Sequence, residues 1–424
     1  MDFQQASTYL LSLGNEVTTM KLGLENIGKL LAALGDPQNN YLKVQVAGTN
    51  GKGSVCAFLN SICVKAGIKT GMFTSPHLIS MTERVQINGE DISEDEFARL
   101  STRVRSVSED LVAAGELESV PTYFEQVTAI GLLAFAEAKV ELAILETGLG
   151  GRLDATTAAN AQIAAITRTD LDHQQYLGET IEEIAAEKAA IIHEGSLVVV
   201  GEQSPEAMAV ILERCRVFDI TPQLALSFEK GGNLTGREGV SLPPLGLAGR
   251  HQVENAKVAI GVVEFLRERF SISDADVRDG LKTARHPGRL ESHGRFLFDG
   301  AHNIGGAKAL RSFLDEFVHE PITMVFGSMN DKDVSDVTTI LFPKANMLIL
   351  TRSENSRAMS ADELTAFVPD HFDSSAVFTT DTALDALEKA LEVSTGNCPI
   401  LVTGSLYLVG EVRRLLPKKL KSKN

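Results

Sequence analysis

Tryptophan is absent from the 424 residues, and only four of them are cysteine. The missing tryptophan decides nothing about function. Cys56, Cys63, Cys215 and Cys398 are scattered, with no Cys-x-x-Cys pair, which excludes a zinc ribbon or a dithiol redox motif. In a chain of this size they read as buried, reduced thiols. Long apolar runs are missing too: the longest, such as Val127 to Ala136, are too short to cross a bilayer. Met1-Asp2-Phe3-Gln4-Gln5 has neither the charged region nor the apolar core of a secretory signal. Positive charge is scarce: 40 Lys and Arg stand against 56 Asp and Glu, for a formal net charge of −16. Free duplex nucleic acid is therefore a poor partner. The one basic stretch, Lys418-Lys419-Leu420-Lys421-Ser422-Lys423, reads as a solvated tail. The expectation is a cytoplasmic protein, monomeric and bound to neither membrane nor nucleic acid.

What is present is a chain with 44% hydrophobic residues, enough to pack two or three domains. Short apolar runs alternate with segments of helical period. Val44–Ala47, Gly71–Phe73, Leu142–Glu146, Ile163–Thr167 and Leu197–Val200 read as strands, and Ser93–Val112, Thr122–Ala138 and Ile181–Ile192 as helices. Such alternation predicts an α/β fold with mostly parallel sheet. Glycines and prolines between about 220 and 248 predict a small β-hairpin excursion. A second alternating series begins near Arg295, and Pro287-Gly288 interrupts the pattern before it.

The most informative segment is Gly48-Thr49-Asn50-Gly51-Lys52-Gly53-Ser54, between the strand Val44–Ala47 and a helix over Val55–Ala66. Strand, glycine turn, lysine, hydroxyl and helix together suit a nucleotide polyphosphate. Lys52 would reach the outer phosphates and Ser54 would ligate Mg²⁺. The common pattern G-x-x-x-x-G-K-[ST] is met imperfectly, because Val46 stands for the first glycine and Gly53 separates Lys52 from Ser54. The alternative is an ordinary strand-to-helix turn.

Other strand exits carry chemistry. Glu146 ends an apolar run, where a carboxylate suits Mg²⁺ beside phosphates or simply faces solvent. Thr147 to Thr156 is a second glycine turn without dinucleotide spacing, from which Arg152 would approach the phosphates. Asp172-His173 follows another strand, as metal ligands or as satisfied polar residues. Lys188 reads by periodicity as a helix-surface lysine, although a lysine held neutral can add CO₂ and become an anionic oxygen ligand. Asp299, in Asp299-Gly300-Ala301-His302-Asn303, suits a ribose hydroxyl or a helix N-cap.

Taken in order, these motifs resemble the folylpolyglutamate synthase/dihydrofolate synthase branch of the Mur ligase superfamily. Further marks are Thr74-Ser75-Pro76-His77-Leu78 with Glu83-Arg84-Val85, Leu177-Gly178, Glu187-Lys188, His251-Gln252 with Asn255-Ala256, and Pro287-Gly288-Arg289. The resemblance covers essentially the whole chain and accounts for the irregular first turn. It implies a phosphate-loop ATPase domain over 1–288 and a smaller Rossmann-like α/β domain over 289–424. ATP would be co-substrate, with two Mg²⁺ ions and an acyl-phosphate ligase mechanism joining L-glutamate to dihydropteroate or folates. Lys52, His173 and Lys188 would be catalytic. Gly51, Lys52, Gly53, Ser54, Asn255, Arg289 and Asp299 would bind ATP. Ser54, Ser75, Glu146, His173 and a carbamylated Lys188 would hold the metals. Lys21, Leu22, Gly23, Thr122, Tyr123, Phe124, Glu125, Leu153, Asp154 and Ala155 would meet the pterin. Two departures stand out: Thr157 where the branch usually has Asn, and Ala190 where it usually has Gly. A relative acting on a UDP-linked precursor would need a UDP-binding domain, for which the stretch before Gly48 is too short.

Overall fold

The computed structural model describes residues 1–14, 23–225, 242–330, 332–370 and 372–421. Lys21, Leu22 and most of the expected hairpin excursion lie outside them. The chain forms two compact units: Met1–Gly246 with Glu254–Arg285, and Leu247–Val253 with His286–Asn424. The expected break after Gly288 differs in two ways. His286, partly buried beside Arg289, belongs with it in the second unit. Leu247–Val253 also joins the second unit, where Gly249 lies against Leu290. A local pattern of Pro and Gly cannot register either contact.

The first unit is built on an eight-stranded sheet. Its strands are β1 (Leu42–Ala47), β2 (Thr70–Phe73), β3 (Val85–Ile87), β4 (Glu90–Asp91), β5 (Leu142–Glu146), β6 (Ile163–Ile166), β7 (Leu197–Val200) and β8 (Gln223–Leu224), in the order β4-β3-β2-β5-β1-β6-β7-β8. The strands from β2 through β8 in that order run parallel. Their near-continuous apolar runs, as in Leu142-Ala143-Ile144-Leu145, suit burial on both faces. At the edge, β3 and β4 pair antiparallel through Asn88-Gly89, both at positive φ, the residues a tight hairpin favours. β8 pairs parallel with β7, so the described start of the 220–248 region adds a further parallel strand.

Register matters more than order for function. Val46 pairs with Glu146, Ala47 with Ile166 and Phe73 with Leu145. The exits of β2, β5, β1 and β6 therefore line one edge, with Thr74, Thr147, Gly48 and Thr167 side by side. The chain leaves β1 towards β2 and leaves β5 towards β6, so the winding reverses around β5 and β1, where open α/β sheets take their ligands.

The second unit carries β9 (Glu291–His293), β10 (Phe296–Phe298), β11 (Ile322–Phe326), β12 (Ala345–Leu350), β13 (Val377–Thr379) and β14 (Ile400–Thr403), in the order β13-β12-β11-β14-β10-β9. Only β9 is antiparallel. Phe326 and Phe342 meet edge-to-face at 5.0 Å in its core. Leu406–Lys421 is helical, so the described part of the basic end continues a helix; Ser422 and Lys423 lie outside the described residues. Cys56, Cys63 and Cys215 are buried free thiols, whereas Cys398, on a turn, is partly exposed. Among the described residues no helix is long and apolar enough to cross a membrane.

The helix Lys52–Lys65 is buried along most of its length, clamped between the sheet and the helix Asp274–Thr283. The clamp closes at Gly280, whose carbonyl accepts from Ser61 Oγ at 2.8 Å. A Cβ there would stand 2.5 Å from Ile62 Cα and 2.7 Å from its nitrogen. Those are backbone atoms with no room to move. Gly280→Ala is expected to destabilise the protein by about 1–3 kcal/mol through overpacking. The gain of about 1 kcal/mol in helix propensity is too small to reverse this. Urea unfolding would measure it, and parent-like stability would contradict it.

Candidate active site

The turn after β1 is held open by backbone geometry. Gly48 has φ +152° and Gly51 φ +93°. A Cβ on Gly48 would lie 1.8 Å from Thr167 Oγ1, and one on Gly51 2.1 Å from Asn255 Oδ1. Neither position admits a side chain. The turn is pinned to the β6 exit: Arg168 O accepts from Thr49 N at 2.8 Å and from Asn50 N at 3.3 Å. Asn50 Nδ2 donates to Asp170 Oδ2 at 3.1 Å, and Thr49 Oγ1 donates to Asp170 O at 2.9 Å. The helix starts at Lys52 with no side-chain cap, so its first amides face the turn. That is a ready anion site. Lys52 does not extend outwards; its Nζ folds back onto Gly48 O and Thr49 O at 3.1 and 3.3 Å.

Lys188 is not a surface lysine. It is 4% exposed, and its Nζ donates to the same Gly48 oxygen at 3.0 Å. Two lysines thus converge on one carbonyl. Burial first, and the Lys52 charge second, hold the Lys188 pKa down at about 7, against the pull of Asp172, Asp154 and Glu187. The glycine turn after β5 seats this helix: a Cβ on Gly151 would lie 2.6 Å from Glu187 O and 3.0 Å from Lys188 O. Arg152 joins that contact, with Nε 2.8 Å from Glu187 Oε1. His173, at φ +52°, opens the short helix Gln174–Leu177. Asp172 Oδ1 accepts its N–H at 2.9 Å and lies 3.9 Å from its Nε2.

Glu146 is buried at the β5 exit, and its Oε2 accepts Ser75 N at 3.2 Å. Ser54 is buried at the start of the phosphate-loop helix. Among the described residues no three His, Cys, Asp or Glu cluster as ligands of one ion. One carboxylate with hydroxyls, completed by phosphate oxygens and water, suits Mg²⁺. A free ammonium does not suit a metal. A carbamate on Lys188 would, since it places an anion beside Lys52 where a cation is disfavoured.

The residues expected on the pterin side make contacts within the fold. Thr122 and Glu125 form the capping box of the helix Tyr123–Ala138. Glu125 Oε2 takes the Thr122 N–H and O–H, both at 2.8 Å, while its buried Oε1 has no partner among the described residues. Phe124 packs flat on Gly148, where a Cβ would lie 2.6 Å from the ring. Tyr123 is buried beneath Arg84, 5.5 Å from ring centre to guanidinium. Asp154 is turned inwards and accepts from Leu149 N at 2.9 Å and Thr156 N at 3.0 Å; burial raises its pKa. Leu153 and Ala155 flank it. Of the departures, Thr157 has a partner: Gln45 Nε2 donates to its Oγ1 at 2.8 Å, and that hydroxyl donates to Gly151 O at 2.7 Å. Ala190 sits in ordinary helical geometry that needs no glycine.

Arg289 and Asp299 lie in the second unit. Asp299 is not a helix N-cap; Asn303 takes that role. Its two oxygens accept Leu290 N and Ala301 N, each at 2.9 Å, and burial raises its pKa despite Arg289. The bond from Leu290 holds that residue at φ +44°, a region bulky side chains avoid.

Sequence reasoning missed the roles of Gln45, His77 and Arg84. A glutamine inside the apolar run of β1 was the visible signal for the first. Arg84 Nε donates to His77 Nδ1 at 2.8 Å, and burial with that adjacent charge holds the imidazole down at about 3.

Residues 46–263 match the Mur ligase middle domain and residues 285–415 the dihydrofolate synthetase C-terminal domain, which sets the class as a Mur-type ligase. The Bacillus subtilis dihydrofolate synthase/folylpolyglutamate synthase is 34% identical over 94% of this chain and 95% of its own. A probable bifunctional folylpolyglutamate synthase/dihydropteroate synthase of Halobacterium salinarum is 34% identical over 97% of this chain, which spans 51% of that protein. A Yersinia pestis folylpolyglutamate synthase/dihydrofolate synthase, solved with AMPPNP and Mn ion, superposes with a TM-score of 0.84 at 28% identity over 98% of both chains. The chain belongs to the dihydrofolate synthase/folylpolyglutamate synthase family.

Lys188 gives a pH signature. Its folded pKa, about 7, lies below the ordinary 10.5. Between these values the unfolded chain binds the extra proton, so raising pH stabilises the fold. The penalty is full below pH 7 and gone above the unfolded value. In CO₂-free buffer the parent protein should gain stability relative to Lys188→Met between pH 6.5 and 9.5 by urea unfolding. A constant difference would contradict the assignment.

Proposed function

We propose that this chain joins L-glutamate to dihydropteroate and adds further glutamates to the γ-carboxylates of folates, cleaving ATP to ADP and phosphate. The observation that carries this reading is the meeting of the phosphate loop, Glu146 and the depressed Lys188 on one sheet edge, in a member of this family. The enzyme would act as a cytoplasmic monomer, with neither nucleic acid nor membrane as partner.

A carboxylate is a poor electrophile, and transfer of the γ-phosphoryl group from ATP makes it an acyl phosphate with a good leaving group. Gly51, Gly53 and the first helix amides would cradle the phosphates, with Asn255 against Gly51. Lys52 would exchange Gly48 O for a phosphoryl oxygen and offset its charge. Arg289 and Asp299 would serve the adenosine side. Glu146, Ser54 and Ser75 would hold one Mg²⁺, and His173 with a carbamylated Lys188 the second. Mg²⁺ bound there would neutralise phosphoryl charge as it is transferred. For the carbamate, the neutral Lys188 nitrogen attacks CO₂, an N–C bond forms and one proton leaves. The pterin would lie on Gly23, Thr122–Glu125 and Leu153–Ala155, with Lys21 and Leu22 on the same side. The orphan Glu125 oxygen suits an N–H donor of the ring. The glutamate amine, once deprotonated, attacks the acyl carbon and phosphate leaves.

Purified protein with ATP, Mg²⁺ and glutamate should release phosphate with dihydropteroate and with tetrahydrofolate. No release with any pterin acid would overturn the reading, and release with tetrahydrofolate alone would restrict it to chain extension. Lys188→Ala should lose at least about 10- to 100-fold in activity, as when groups around a metal are removed. Added CO₂ or a small carboxylic acid should return part of it. Parent-level activity in that variant would exclude the carbamate.

A further inference from the structure

The loop after β2 is built more rigidly than a connector needs. The Glu83 carboxylate accepts the amides of Leu78, Ile79 and Ser80 at 2.7, 2.9 and 2.8 Å. Arg84 O accepts Thr74 N at 3.0 Å, and Glu146 takes Ser75 N. Arg84, 2% exposed, completes the frame with its guanidinium over Tyr123 and its Nε on His77 Nδ1. Within this frame Arg84 holds one side chain, His77.

The chemistry of that bond sets the tautomer. An arginine Nε–H can only donate, so Nδ1 must be the unprotonated nitrogen and the ring proton sits on Nε2. Among the described residues His77 makes no other hydrogen bond. The outcome is a neutral imidazole with a fixed, unused N–H, only partly buried, two residues beyond Ser75 on the ligand edge of the sheet. β5 separates β2 from β1, and Tyr123 belongs to the segment read as the pterin side. The His77 loop leaves β2, one strand removed from the phosphate-loop strand β1, and is framed on Tyr123, which favours the acid substrate over the triphosphate as its acceptor.

We propose that His77 Nε2–H donates a hydrogen bond to a carboxylate oxygen of the pterin acid and orients it for phosphorylation, with Arg84 as the positioning residue that fixes the tautomer. The proposal rests on the ligase reading above. An anionic acceptor is the fitting chemistry, because a neutral donor stabilises it without forming an ion pair that must be broken for the acyl product to leave.

Two amide substitutions separate the nitrogens. Asparagine can replace Nδ1 and keep the bond from Arg84, but it reaches no further. Glutamine can place an N–H near Nε2 but leaves Arg84 Nε without its acceptor. His77→Asn should keep parent-like thermal stability and lose about 10- to 100-fold in kcat/KM for dihydropteroate, the usual size for a hydrogen bond to a charged acceptor. Its KM for ATP should stay at the parent value. His77→Gln should be less stable than His77→Asn and yet more active. Equal activity of His77→Asn and the parent would overturn the proposal. So would a matching rise in the KM for ATP, or a His77→Gln no better than His77→Asn. If the parent protein releases no phosphate with any pterin acid, the ligase reading fails. Equilibrium binding of dihydropteroate then decides this one: His77→Asn must still bind more weakly than both the parent and His77→Gln, and equal binding overturns it.

Discussion

One carbonyl oxygen, that of Gly48, accepts two lysine ammoniums, Lys52 at 3.1 Å and Lys188 at 3.0 Å. Much of the site follows from this crowding. A carbonyl has two lone pairs and can accept both, but two cations so close repel each other in a buried place. The strain falls on Lys188, the more buried of the two, whose pKa drops to about 7. Lys52 is the less buried of the two. The arrangement keeps one cation at Lys52 and disfavours a second at Lys188.

That oxygen stands where it does because the strand register leaves no alternative. Thr167 N on Ala47 O at 2.8 Å and Thr147 N on Val46 O at 3.0 Å carry the ladder one step past the strands. The chain must turn at Gly48, with Thr167 filling the space of any side chain. Gly151 performs the matching service opposite, letting the Lys188 helix come within contact of the β5 exit. Glycine here is a distance requirement as well as a conformational one.

Much of the fold was legible in the residues. The apolar runs Leu142–Glu146 and Leu197–Val200 are strands with the bounds read from the sequence, and the second alternating series does form a second sheet. Buried parallel strands advertise themselves by hydrophobicity alone. Short edge elements did not: β3, β4 and β9 are too brief for a period to form, although Asn88-Gly89 is a hairpin signal in plain view. The phosphate loop and Glu146 could be read because strand exits are marked by an abrupt end of the apolar run. Lys188 was misread by its period, because a helix lying between a sheet and a glycine turn buries more than one stripe.

The residue types and their order along the chain determined which groups are available: the glycine turn, the strand-end carboxylate, the imidazoles and the lysines. Resemblance to one ligase branch follows from that order without any coordinates. Tertiary structure alone decided their charge and direction. Whether Lys188 is a surface cation or a buried, half-neutral amine depends on its distance from Lys52 and from water. Which nitrogen of His77 carries the proton depends on a donor that the fold, not the spacing, brings to it. Charge state and hydrogen-bond direction are set by neighbours within a few ångströms, and a linear sequence does not state who those neighbours are.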